Sequence, residues 1–321
     1  MKYLNLKEAK NVYKKGKNIT EYLRKELNIT NNTSEILEIA YDLQAGSYIK
    51  YAKLNSKKIS LYTNELSQIL NKHLNNKHSL LDVGAGELTT LTFLLNQIKK
   101  KPSKVFAFDI SWSRIYIGKK FFEKNIKDKK IKLSLFCADI KSIPLKSNSI
   151  DVIISNHALE PNGKYLSDLI KELFRVVKKK LILFEPSYEL NSLKGKKRMD
   201  KLGYIKNIKS TVKNLGGSLV EIIPIKNISN KLNPTACYII YPPKNFDNIK
   251  KDKFFFCAPG SNLPLKKVQN FYGSKETGLV YPIFKEIPLL KQSSSILVSE
   301  NYKYAYNRKQ DYKKNKKNKI L

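Results

Sequence analysis

The run LLDVGAGELTTL, residues 80–91, sets Asp82, Gly84 and Gly86 at the close of an apolar stretch and Thr89-Thr90 at the start of a helical one. Glycines there let backbone approach a ligand closely, and a helix N-terminus offers free N–H groups. A dinucleotide loop of the form G-x-G-x-x-G wants Gly or Ala at position 89, where this chain has Thr89, which speaks against a nicotinamide dehydrogenase. Asp109 comes 25 residues after Gly84, the place from which an acid accepts both ribose hydroxyls of an adenosine-type ligand. Ile110 and Trp112 follow, and the indole offers a cover for an adenine face. Asp139, with Ile140, closes a third apolar run, where its carboxylate or the next N–H meets the adenine edge. Each acid taken alone is a loop cap. Three of them at successive strand C-termini describe a nucleoside site, because open α/β sheets bind ligands there.

A second set of reactive side chains lies in SNHALEPNG and FEPSYE: Asn156, His157 and Glu160, then Glu185, Tyr188 and Glu189. His157 is one of three histidines. An imidazole titrating near neutrality suits removal of a proton from a hydroxyl, and a ring at a strand end equally serves as a backbone hydrogen-bonding partner. Glu160 and Glu185 either assist that step or bind substrate hydroxyls.

Positioning these groups takes a sheet. Apolar runs at 79–84, 104–110, 131–140, 149–155, 179–186, 218–225 and 236–242 alternate with helical patterns, except that only KNISNKLNPT separates the last two. Continuous Val/Ile/Leu/Phe runs suit strands buried on both faces, so five parallel βα units closed by an antiparallel hairpin are expected over 79–245. Residues 1–78 read as a helical preface, with apolar positions at Ile36, Ile39, Ala40 and Leu43 and again at Leu61, Leu66, Ile69 and Leu70. Gln44-Ala-Gly46-Ser47-Tyr48 interrupts that pattern as either a lid turn or an ordinary helix corner. Residues 246–300 punctuate short aromatic runs with Pro and Gly, as a small β-rich module does, and 301–321 form a basic tail of about +7, expected to be disordered.

The chain of 321 residues carries 61 Lys plus Arg against 27 Asp plus Glu, a formal charge of +34, yet only five of the cations are Arg. Nucleic-acid readers spend Arg on bidentate contacts, so this Lys excess reads as solvated surface rather than as a base-reading face. Cys137, Cys237 and Cys257 are odd in number and widely spaced, which suits free thiols in a reducing compartment. No run approaches a bilayer span and the first residues lack a signal-peptide core, so a cytoplasmic location is expected.

Asp82-Val-Gly84-Ala-Gly86, Asp109, Asp139-Ile140 and SIDVIISNHALE together resemble the class I S-adenosylmethionine-dependent methyltransferases of the type 11 kind. The resemblance implies an α/β Rossmann-like seven-stranded sheet over about 79–242. It also implies S-adenosyl-L-methionine as cofactor, with Asp82 and the Gly84–Gly86 loop facing its methionine part, Asp109 on the ribose, and Asp139 with Ile140 at the adenine. Ile110, Trp112 and Asn156 complete the implied cofactor set; His157, Glu160 and Glu185 are the candidates for catalysis. Leu88 stands where some members carry a third glycine. Amino-group methyltransferases resemble one another in an Asn/Asp-Pro-Pro-aromatic loop, where this chain has Ser155-Asn156-His157-Ala158, so a hydroxyl of a small or carbohydrate-like acceptor is preferred. An RNA acceptor held by the Lys-rich surface, or a non-catalytic cofactor-binding partner, are the alternatives. Residues 256–290 are similar to a zinc-ribbon-like methyltransferase activator domain. Its four ligand positions read Cys257, Gly260, Ser274 and Thr277, so no metal is expected.

Overall fold

A computed structural model describes residues 6–243 and 256–298. The tail expected at 301–321 and most of the polar segment that opens the C-terminal module lie outside the described residues.

Five helices come first: α1 (Leu6–Lys14), α2 (Ile19–Leu27), α3 (Ser34–Leu43), α4 (Ser47–Leu54) and α5 (Ser56–Leu70). Buried Ala9, Val12, Ile19, Leu23, Ile36 and Ala40 join the first three into a small core of their own. Gly46, at φ +99°, makes the turn between α3 and α4, a conformation glycine adopts without a Cβ penalty.

The central sheet comprises β1 (Ser79–Val83), β2 (Lys104–Asp109), β3 (Leu133–Cys137), β4 (Ile150–Asn156), β5 (Val177–Pro186), β6 (Ser218–Pro224) and β7 (Thr235–Tyr241). Their spatial order is β3-β2-β1-β4-β5-β7-β6, with β7 antiparallel to both neighbours. It is the expected seven-stranded sheet with a reversed terminal hairpin. β1, β4 and β7 are almost wholly buried, as continuous apolar runs require, whereas β6 is an exposed edge. β3 is shorter than its apolar run. After Cys137 the backbone turns, with Asp139 Oδ1 accepting from the Lys141 N–H at 2.9 Å and its carbonyl from Ser142. Helices α6 (Thr89–Gln97), α7 (Trp112–Asn125), α8 (Leu166–Val176), α9 (Leu193–Leu202) and α10 (Ile208–Asn214) complete the layers.

The C-terminal residues form a separate antiparallel sheet of β8 (Lys266–Val268), β9 (Phe271–Gly273), β10 (Leu279–Phe284), β11 (Ile287–Pro288) and β12 (Ile296–Leu297). It docks on the free edge of β3: the Leu290 N–H donates to the Cys137 carbonyl at 2.7 Å, and Leu289 bridges Cys137 in parallel. Phe256 packs edge-on against Phe136 of β3, ring centroids 5.1 Å apart. Among the described residues no group of three or more His, Cys, Asp or Glu side chains is placed to hold a metal ion. Among them too, no helix is long and apolar enough to cross a membrane.

Candidate functional site

The strand order reverses between β1 and β4, and a cavity of about 600 Å³ opens at the C-terminal ends of the strands there. Its floor is the β1–α6 loop. Gly84 (φ +64°) and Gly86 (φ +55°) are both left-handed, and a Cβ on Gly84 would stand 2.5 Å from that of Ala158. Glycine is required at 84, where that contact leaves no room, whereas at 86 a Cβ would crowd only the end of the Arg114 side chain. Leu88, at φ +56°, enters α6 in the same left-handed region and is fully buried among the sheet residues. The structure thus shows why a glycine is favoured there: a non-glycine residue costs about 1–2 kcal/mol, here offset by burial of the leucine side chain.

Asp109 fixes the loop from the neighbouring strand. Its two oxygens accept the N–H groups of Gly86 and Ser111, each at 2.9 Å. Ser111 caps α7 through the Arg114 N–H and donates to Asp42 of α3, which ties the preface to the sheet. Asp82, also buried, lies against the same cavity, and burial together with the charge of Asp109 pushes its carboxyl up to about 8. Ile110, Asp139 and Ile140 line the wall beyond. Asp139 is therefore both a loop cap and a wall residue.

Opposite stand Asn156, His157 and Glu160. His157 is held at φ +56°. Its Nδ1 meets Glu160 Oε2 at 2.6 Å and its Nε2 meets Thr235 Oγ1 at 2.8 Å. Burial alone lowers the basicity of the ring, but the charge and hydrogen bond of Glu160 and the charge of Glu185 raise it above its ordinary value. Asn233 also donates to Glu160, at 3.2 Å, and Tyr62 of α5 donates to Asn156 Oδ1 at 2.5 Å. With the ring charged, both nitrogens donate. With it neutral, Nδ1–H stays on Glu160 and Nε2 accepts from the Thr235 hydroxyl.

Two expected site residues lie elsewhere. Trp112 does not face the cavity: it stacks on Tyr116, with centroids 4.7 Å apart, and on Phe284 at 4.8 Å, and its Nε1–H points to the Phe284 carbonyl. The first turn of α7 aims the indole outward, so it anchors the C-terminal module instead of covering an adenine. Glu185 is fully buried and is not a wall residue. Its Oε1 accepts the N–H groups of Ala158 and Leu159 at 3.0 and 3.1 Å, which holds the loop after β4 against Gly84, and burial pushes its carboxyl up to about 7. Glu185→Ala strands both donors and is expected to lower unfolding stability by about 2–3 kcal/mol. Urea denaturation measures this, and an unchanged midpoint would remove the positioning role.

The sequence offers the Gln44–Tyr48 turn of the preface as a lid or a corner, and no motif marks Tyr41 or Tyr62 as site residues. Tyr41, Tyr48 and Tyr62 line the cavity, and the α4 backbone is fastened to the glycine loop by Glu87, whose carboxylate accepts from Gly46, Tyr48 and Ile49 at 3.0, 3.4 and 2.8 Å. Arg114 lies over the Tyr41 and Tyr48 rings, 5.1 and 4.6 Å from their centroids, and 3.9 Å from Glu87. One signal pointed to it: Arg114 is one of only five arginines in a lysine-rich chain. Amides from the β6–β7 loop, Asn227, Asn230 and Asn233, add hydrogen-bonding edges to the far wall.

Residues 81–184 match the family described as a methyltransferase domain. No curated protein matches the chain. Among solved structures, the chain is similar to magnesium protoporphyrin IX methyltransferase from Synechocystis PCC 6803 with bound SAH. The identity is 12% over 65% of this chain and 100% of that one, with a TM-score of 0.50. It is also similar to a SAM-dependent methyltransferase from Methanosarcina mazei, 17% identical over 55% and 98%, TM-score 0.47. A third match is a complex of a methyltransferase with its activator from Haloferax volcanii, 13% identical over 55% and 86%, TM-score 0.44. At these identities the likeness concerns the fold.

Proposed function

We propose that this chain, whose residues 81–184 match a methyltransferase domain, transfers a methyl group from S-adenosylmethionine to a hydroxyl of a small or carbohydrate-like acceptor. The observation that carries the acceptor class is the far wall, where asparagine amides, tyrosine rings and the His157–Glu160–Thr235 chain converge. Amides give and take hydrogen bonds as hydroxyls do, and ring faces suit the apolar side of a sugar.

The residues present fit the cofactor. Asp82 and Asp109 are buried acids beside a left-handed glycine loop, and a ligand bearing ammonium and sulfonium charges supplies the positive partner that such a pair favours. Asp109 would hold the ribose, Asp82 with Gly84 and Gly86 the methionine part, and Ile140 the adenine face. The bound cofactor supplies an activated methyl on sulfur, open to in-line displacement. The protein's task is then to orient the acceptor and take its proton. His157 in its neutral form offers Nε2 to the hydroxyl it now meets in Thr235, while Glu160 keeps Nδ1 protonated. An acceptor hydroxyl placed at that nitrogen would give up its proton to the ring as the bound cofactor's methyl was transferred to its oxygen.

Asp82 makes cofactor binding depend on pH. A cation favours the ionised carboxyl, and the free protein holds that carboxyl protonated below about 8. Affinity is therefore expected to rise with pH, by at most about tenfold per pH unit, and to level off above about pH 8, with proton release on binding at pH 7. Calorimetry in buffers of different ionisation enthalpy reads that proton, and a pH-independent affinity would contradict the assignment. The proposed reaction itself is tested by transfer of labelled methyl from S-adenosylmethionine into fractionated cell extract. Label in hydroxylated small molecules or glycans supports it, and label confined to RNA or protein overturns it.

A further inference from the structure

The preface side of the cavity mouth is built by α4 and α5. From Leu43 to Asn64 the sequence carries Lys50, Lys53, Lys57 and Lys58 and no acidic residue, and all four lysines are exposed. Between them Leu54 is 75% and Leu61 58% exposed, and Tyr48 and Tyr51 are exposed while also lining the cavity. A second group of like composition enters α9: Leu193 is 80% exposed, Leu190 is exposed, and Lys194 and Lys197 stand beside them, with Glu189 before the helix and Asp200 in its last turns as the acids. Asn191 in that segment donates to the Leu232 carbonyl, in the loop that brings Asn230 and Asn233 to the cavity. Open leucines and tyrosines interleaved with lysines, at the cavity mouth on α4 and α5 and joined through Asn191 to the loop of its far wall, are the makings of an interfacial surface.

We propose that this rim docks on an anionic lipid surface, so that the acceptor hydroxyl enters the cavity on a lipid headgroup. The headgroup clause rests on the methyltransferase reading above; the docking does not. The leucines enter the boundary between headgroups and acyl chains, Tyr51 lies at the headgroup level beside the opening, and the lysines meet lipid phosphates. An RNA would engage the lysines but leave Leu54, Leu61 and Leu193 without a partner.

The test sediments the full chain with vesicles of phosphatidylcholine, with and without phosphatidylglycerol. Binding only to the anionic vesicles is expected. The variant Lys50→Gln/Lys53→Gln/Lys57→Gln/Leu54→Ser is expected to lose about 100-fold in affinity, since each lysine near such a surface contributes about fivefold. The control Lys127→Gln/Lys129→Gln/Lys130→Gln, between α7 and β3 at the opposite end of the strands, changes binding less than about fivefold. Equal loss in both variants would reduce the attraction to net charge and overturn the proposal. A tryptophan reporter, Leu54→Trp, is expected to shift its emission to the blue with anionic vesicles and not with an RNA oligonucleotide; the reverse overturns it as well. Cofactor affinity, measured on the same variants and unchanged within about twofold, shows the methyl-donor site intact. A failure to dock is thereby told apart from a failure of the methyltransferase reading.

Discussion

Asp109→Ala is expected to raise the dissociation constant for S-adenosylmethionine by at least about 100-fold while the chain stays folded. The effect has two sources. The carboxylate is the proposed partner of the ribose hydroxyls, and charge-assisted hydrogen bonds of that kind contribute about 1.5–3 kcal/mol each. It also holds the Gly86 N–H, so its loss frees the loop on which the methionine part would rest. The Gly86 and Ser111 donors left behind cost stability as well, about 1–3 kcal/mol. Calorimetric titration gives the affinity and far-ultraviolet dichroism shows whether the fold persists. A folded variant that binds the cofactor as tightly as the parent would remove Asp109 from the site.

The second large effect belongs to His157. His157→Asn suits the test because asparagine tolerates the left-handed backbone at φ +56° better than most residues. The turnover number is expected to fall by about 10²–10³-fold with cofactor affinity unchanged, the range general-base catalysis supplies. The pH profile carries the stronger evidence. Glu160 and Glu185 hold the ring's pKa above its ordinary value, so the neutral, proton-accepting form gains population as pH rises and the rate climbs with it through that raised pKa. Glu160→Gln removes a charge that favours the imidazolium, and the inflection is expected to move to lower pH. If the profile keeps its inflection in His157→Asn, the ring has a structural role only.

The sheet and its reversed hairpin could be read from the sequence because buried parallel strands leave unbroken apolar runs, and because glycines and acids fall where those runs end. The same signal singled out Asp109, the last residue of β2, Asp82, one residue before the end of β1, and Asp139, two residues past β3, all of which line the cavity. Trp112 misled because sequence adjacency to Asp109 says nothing of which way the first turn of α7 faces; its partner, Phe284, is remote in sequence. Glu185 misled for a related reason: a carboxylate at a strand end points either into the mouth or under the next loop, and only the third dimension decides. The tyrosine wall and the β6–β7 asparagines carry no motif, since aromatic and amide residues are common throughout this chain. The turn at Gly46-Ser47 stood as lid or corner in the sequence, and in the structure its backbone is bonded to the glycine loop through Glu87.

That bond has a thermodynamic consequence. One buried carboxylate follows Gly86 directly in the chain and grips three backbone donors at the start of α4, so a displacement of either segment is felt by the other. On the proposed assignment methyl donor and acceptor bind to two sides of a single mechanical joint, and by linkage whatever factor the first adds to the affinity of the second is returned in equal measure. Measured donor affinity with and without saturating acceptor would give the size of that factor.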